Sequence, residues 1–260
     1  MDYQSTRKRN YMKDKNHCRA PRANQAFTRL ELAVVLATLG LLAAIALPVL
    51  AGGKTHSEQA MCFSNLRQIG HAFHLWASDH GDRNTWLTPL SEGGTFGTQN
   101  ILKNRAFFQM GSISNELVTP RNLVCPADRD VTDARMMATD FSNNNPNGGF
   151  FRPGFQDRAL SYTISLHSFY EVPRSILSSD RNIRGDGMDS ACFTGVGSAQ
   201  AIYVPHPDVD VVWTNSIHIG TGNVLFNDGS VEHLSSFGLQ QAVRAANPGN
   251  LRNLHYLAPF

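Results

Sequence analysis

Residues 32–51 read LAVVLATLGLLAAIALPVLA, twenty positions without a charged side chain. At about 1.5 Å of rise per residue, a helix over this run is ~30 Å long, the thickness of a bilayer's hydrocarbon core. Directly upstream, residues 1–26 carry Arg7, Lys8, Arg9, Lys13, Lys15, Arg19 and Arg22 against Asp2 and Asp14, a net of +5. A positive flank stays cytoplasmic, so the order predicts a single pass with everything after residue 51 outside. The competing reading is a secretory signal peptide cut after Val49-Leu50-Ala51. Its apolar core is normally 7–15 residues long, and Glu31 sits directly before this run. A buried helix of a soluble core fits the basic flank less well still.

The remainder of the chain is balanced differently. Of 23 basic and 21 acidic side chains in 260 residues, seven and two fall in the first 26, leaving 16 and 19 beyond, a net of −3. A slightly acidic body has no basic stripe for a phosphate backbone, which argues against a nucleic-acid partner. The four cysteines, Cys18, Cys62, Cys125 and Cys192, form no C-x-x-C pair, so zinc-ribbon and thioredoxin-like chemistry has little support. In an oxidising compartment, the three beyond the leader permit one disulfide and one leftover thiol.

After Gly52-Gly53 the pattern changes. Cys62, Leu66, Ile69, Phe73 and Trp76 recur at helical spacing with Arg67, Gln68 and His71 between them, the mark of an amphipathic helix. Asp79-His80-Gly81-Asp82 ends it. Strand-like runs follow at 159–166, 199–204, 209–214 and 223–226. The last leads through Asn227-Asp228-Gly229-Ser230 into 231–234 as a hairpin. Residues 91–100 and 142–156 read as loops. Helix first and strands later imply an α+β head.

The stretch Ala26-Phe27-Thr28-Arg29-Leu30-Glu31-Leu32 resembles the cleavage and methylation motif of type IV prepilins and type II secretion pseudopilins. The resemblance implies that a dedicated peptidase cuts between Ala26 and Phe27 and N-methylates Phe27. It also implies that Glu31, fifth in the mature chain, pairs with the α-amino group of a neighbouring subunit to set register, and that the helix bends at Pro48. Ala26 stands where the family usually has glycine, and Arg29 where it usually has an apolar residue. Further blocks resemble a bacterial group of prepilin-type proteins with an H-x9-DG signature. They are residues 62–70 (CFSNLRQIG), 123–128 (LVCPAD), Ser161-Tyr162, 176–183 (ILSSDRNI), and His218 separated by nine residues from Asp228-Gly229. Cys62 and Cys125 both belong to such blocks, and a disulfide between them is the pairing expected from the resemblance.

The resulting expectation is an α+β, pilin-like lollipop, with a long N-terminal α-helix packed on an antiparallel β-sheet head with long loops. Residues 1–26 are the basic leader, 27–53 the transmembrane and filament-core helix, 54–80 the amphipathic helix, and 81–260 the periplasmic head. The implied function is that of a pseudopilin in the bacterial inner membrane, a structural filament subunit rather than an enzyme. Its partners would be a prepilin peptidase/methyltransferase, other pseudopilins, and an assembly platform with its ATPase. Two alternatives stand beside it. One is a membrane-anchored polysaccharide-binding protein using scattered aromatics. The other is a tethered hydrolase using His218 and Asp228, although turn chemistry explains that pair more simply, with Asp228 capping, Gly229 taking a positive φ and His218 hydrogen-bonding the turn. Asp180, Asn182, Asp186 and Asp189 form an oxygen-rich stretch with the donor type calcium takes, although not with EF-hand spacing. A solvated loop is the plainer reading of that stretch.

Overall fold

The structure, a computed structural model, describes residues 28–97, 105–129, 135–185, 202–203, 210–246 and 256–259. The side chains of 46–54 and 202–203 lie outside that description. The first helix, α1 (Arg29–Ser78), opens with a reciprocal cap. Glu31 Oε2 accepts from the Thr28 N–H at 2.8 Å and from Thr28 Oγ1 at 3.0 Å, while the Glu31 N–H donates to Thr28 Oγ1 at 3.2 Å. This is the capping-box arrangement, which satisfies donors that a helix start leaves without partners.

Two compact units divide the chain, Met1–Val49 and Leu50–Phe260, with the boundary inside α1. It falls beside Pro48 and Gly52-Gly53, the residue types with the lowest helix propensity. In the first unit every described side chain of α1, from Arg29 to Ile45, is exposed, with Leu30, Leu36, Leu41, Leu42 and Ile45 all at 60% or more.

In the second unit, the apolar stripe of α1 is buried. Cys62, Leu66, Ile69 and Phe73 are fully enclosed and Trp76 nearly so. Enclosing each of the larger of these side chains stabilises the fold by about 1.5–3 kcal/mol. They pack on one face of a six-stranded antiparallel sheet built from β1 (Tyr162–Ser165), β2 (Ile176–Asp180), β4 (Ile202–Tyr203), β6 (Thr221–Phe226), β7 (Val231–Ser235) and β8 (Tyr256–Leu257), in the order β4-β8-β1-β2-β6-β7. A small second sheet pairs β3 (Ile183–Gly185) with β5 (Val211–Trp213). Short helices α2 (Ala106–Gly111) and α3 (Ser114–Leu117) add Phe107, Met110 and Leu117 to the α1-side core, with Ile113 between them.

Strand alternation assigns the two faces. Tyr162, Ile164, Leu177, Leu225 and Leu257 join the α1-side core. Ile176, Val224, Phe226 and Tyr256 face a second core formed with Trp213 of β5 and with Leu239 and Val243 of α4 (Ser236–Ala245). Gly222 is required where the layers meet, because a Cβ there would lie 2.6 Å from the Trp213 ring. The β6–β7 hairpin has the sequence-predicted turn. Ser230 N–H and Oγ–H donate to Asp228 Oδ1, and Gly229 takes φ +80°.

The pilin-like lollipop expected from the sequence is corrected here. The chain is α+β with an antiparallel sheet, but among the described residues no helix is long and apolar enough to cross a membrane. Ala46 to Ala51, with the expected bend at Pro48, have their side chains outside the described residues. The division at Val49/Leu50 also separates the apolar part of α1 from the part that belongs to the head.

Candidate functional site

Blocks far apart in sequence meet at the Cys62–Cys125 bridge, beside the end of β2 and the start of β6. Cys62 enters from the buried stripe of α1. Cys125 follows the 3₁₀ turn Pro120–Leu123, and Asn65 Nδ2 holds that loop to α1 by donating to Val124 O at 3.1 Å. The two sulfurs are bonded to each other across 63 positions of sequence. Asp180 is the last residue of β2, and Asn223 lies opposite it in β6. His218 arrives on the turn before β6, where Ile219 takes φ +36° and Gly220 φ +70°. A β-branched residue in left-handed backbone is strained by about 1–2 kcal/mol, so this turn holds His218 in place at a cost.

Asn223 is the hub of the polar contacts. Its backbone N–H and its Nδ2 both donate to Asp180 Oδ2, at 2.6 and 2.9 Å. Nδ2 also faces His218 Nε2 at 3.3 Å, and Asn223 Oδ1 accepts from His233 Nδ1 at 3.0 Å. Because an amide nitrogen only donates, His218 Nε2 is the acceptor and its lone pair faces the cluster. That nitrogen lies 3.7 Å from Cys125 Sγ and 3.5 Å from Asp180 Oδ2. Cys62, Cys125 and His218 offer ligand atoms that all lie within 4.8 Å of one another, the one such metal-type grouping among the described residues. One shell further out, Asp128 accepts a bidentate pair from Arg181, at 2.7 and 2.8 Å, with Arg135 Nε 3.5 Å away.

Burial sets the charge state. It pushes the Asp180 carboxyl up to about 7, against the lowering effect of its two bonds from Asn223. Burial, and after it the nearby His233, pulls His218 down to about 4. Between these values both groups are uncharged. Their effects on stability run in opposite directions. Asp180 is harder to ionise when folded, so its contribution is full below pH ~4 and is lost as pH rises through about 7. His218 is harder to protonate when folded, so its contribution is full above pH ~6.5 and is lost as pH falls toward about 4. The oxidised protein should therefore show a shallow stability profile across this window. Asp180→Asn should turn it into one that rises with pH, and His218→Gln into one that falls, with slopes up to about 1.4 kcal/mol per pH unit. Thermal denaturation at about pH 4.5 and about pH 6.5 reads the sign. Slopes of the same sign in both variants would refute the assignment.

The sequence-predicted residues scatter in an informative way. His218 and Asp228 are not neighbours. They flank opposite ends of the six-residue β6, about 20 Å of strand. His218 faces the disulfide, whereas Asp228 and Gly229 line a separate cavity with Arg67, His71 and His74. Asp180 and Asn182, expected on a solvated oxygen-rich loop, are both buried. Asn182 Nδ2 bridges Thr214 O and Thr221 O at 3.0 Å each, which ties the small sheet to β6. Asp186 and Asp189, the rest of the calcium set, lie outside the described residues, as do Ala26 and Phe27. Sequence reasoning missed Asn223, Asp128 and Arg181 as members of the site. The signal for Arg181 was available in the DR dipeptide of the 176–183 block, but nothing in the sequence pairs it with Asp128.

Comparisons with family models, with curated proteins and with solved structures find no match to this chain.

Proposed function

We propose that this chain is a pseudopilin, a non-catalytic subunit of a type II secretion-like or type IV pilus-like filament, anchored in the bacterial inner membrane before assembly. The carrying observation is an apolar helix with all its described side chains exposed, directly behind the Ala26-Phe27…Glu31 motif. A helix apolar on every side needs lipid or other helices around it. Polymerisation exchanges one for the other without a hydrophobic penalty, and it makes the Glu31 carboxylate the polar group available to set register. A prepilin peptidase/methyltransferase processes the chain at Phe27. An assembly ATPase, acting through a membrane platform, stacks it with other pseudopilins.

Two observations weigh against the rival readings. Trp76, Trp86 and Trp213 are all buried, so they make no sugar-binding platform. The His218–Asp228 pair that a hydrolase would need is not assembled.

Intact mass and N-terminal sequencing of protein recovered from its native membrane should give a chain beginning at N-methylated Phe27. A start at Gly52 would overturn the proposal. Glu31→Ala should leave cleavage intact but reduce recovered filaments by about tenfold or more, the equivalent of one charge-assisted hydrogen bond.

A further inference from the structure

The cluster that the filament reading leaves unused has the makings of a metal centre. We infer that, when the Cys62–Cys125 bridge is reduced, the two thiolates and His218 Nε2 bind a zinc ion, and that the Asp180 carboxylate beside His218 moves in to close the fourth position.

The geometry supports this directly. Ligands around a tetrahedral zinc with sulfur bonds of ~2.3 Å and nitrogen or oxygen bonds of ~2.0 Å are separated by about 3.3–3.8 Å. His218 Nε2 already stands 3.7 Å from Cys125 Sγ, and the Asp180 carboxyl adjoins it through Oδ2 at 3.5 Å. The three side chains Cys62, Cys125 and His218 are gathered within 4.8 Å by three separate segments of the chain. The two sulfurs have to separate once the bridge is reduced, and Cys62 Sγ and the Asp180 carboxyl have to adjust around the ion.

A second observation points the same way. Asp180 is fully enclosed and its Oδ1 is buried with no hydrogen-bond partner, a costly arrangement for a carboxyl group. Both donors from Asn223 fall on Oδ2, which orients the carboxyl and leaves Oδ1 free to coordinate. Hydrogen-bonded carboxylates of this kind are how metal ligands are held in place. Two thiolates, an imidazole and a carboxylate form a donor set that suits zinc rather than calcium or magnesium. A cavity of about 280 Å³, lined by Glu58, Gln59, Arg129, His218 and Thr221, leads to the His218 edge and provides an entry path.

The chemistry balances. A dithiol reductant transfers two electrons and two protons to the Cys62–Cys125 bond and leaves as its own cyclic disulfide. Zinc then displaces the two thiol protons, and a third where the Asp180 carboxyl is protonated, while His218 binds as the neutral ring. Oxidation by a disulfide donor runs the sequence backward and ejects the ion. The disulfide joins α1 to the Cys125 loop, and the ion would add the His218 turn to that link.

The test uses the full chain in mild detergent. Cys18 and Cys192 are replaced by serine so that only the pair carries thiols. After reduction by a phosphine and its removal without air, Co²⁺ is titrated as a spectroscopic stand-in for zinc. The reduced chain should take up one ion with tetrahedral visible bands and a near-ultraviolet thiolate-to-cobalt band, whereas the oxidised chain shows neither. His218→Ala, whose fold is checked in the oxidised form, should weaken Co²⁺ binding by more than the ~10–100-fold typical of groups that only support a ligand. Zn²⁺ should also raise the melting temperature of the reduced chain. The inference is overturned if the reduced chain shows no thiolate band, if His218→Ala binds Co²⁺ as well as the parent, or if the reduced chain loses its circular dichroism and Zn²⁺ does not restore it. None of these outcomes depends on whether the protein forms filaments.

Discussion

Replacing Cys62 and Cys125 together by alanine should lower the free energy of unfolding of the second unit by about 4 kcal/mol, with a fall in melting temperature of roughly 10 °C. The bridge closes a loop of 63 positions. In the chain-entropy account, the loss comes from freeing that loop in the denatured state. Little native packing is removed, because both cysteines are small. The measurement is denaturant unfolding followed through Trp76, Trp86 and Trp213, all of which are buried in this unit and report on its collapse. A loss below about 1 kcal/mol would mean that the denatured chain already keeps residues 62 and 125 close together, so that the covalent link adds little.

Asp128→Asn should cost about 3–5 kcal/mol, comparable to losing the bridge although no covalent bond is touched. The Asp128 side chain is fully enclosed, and the guanidinium groups of Arg181 and Arg135 are 12% and 2% exposed. An amide in place of the carboxylate keeps the shape but removes the one negative charge that both guanidinium groups share in a poorly solvated pocket. The contrast is with Arg83–Glu92 and Arg174–Glu232, whose side chains are 41–51% exposed. Solvent screens those pairs, and Glu92→Gln or Glu232→Gln should change stability by less than about 1 kcal/mol. Urea unfolding of the three variants gives the ranking. If Asp128→Asn falls with the two surface changes, water reaches the pocket and the buried-charge argument fails.

Parts of this architecture were legible in the sequence because they follow from a repeat. The α1 stripe is a 3.6-residue period, and the β6–β7 hairpin is an alternating strand ended by Asp228-Gly229. Both signals are local and needed no knowledge of what packs against them. The β2 strand was illegible because Ser178 and Ser179 look like surface residues. They are buried because Ser178 Oγ donates to Thr163 O at 2.6 Å and Ser179 Oγ pairs with Thr163 Oγ1 at 2.7 Å, contacts that only the neighbouring strand supplies. Asp180 was hidden in the same way. An aspartate in a run of charges reads as solvated, and its partner Asn223 lies 43 positions away. The pairing of His218 with Asp228 misled for the opposite reason. Ten positions is near in sequence, but an extended strand converts closeness along the chain into distance in space.

That strand also explains why a fixed interval can matter between two residues that never touch. β6 lies between the two cores, with Leu225 turned to one and Val224 and Phe226 to the other. His218 is anchored before it on the disulfide side, and the Asp228 turn is anchored after it beside His74. Adding or deleting one residue would invert every side chain beyond the change and send Leu225 to the wrong side. A change of two would restore the faces but pull one anchor out of place by about 7 Å. The strand therefore acts as a gauge block: its length, rather than any bond between its two ends, fixes the count of nine.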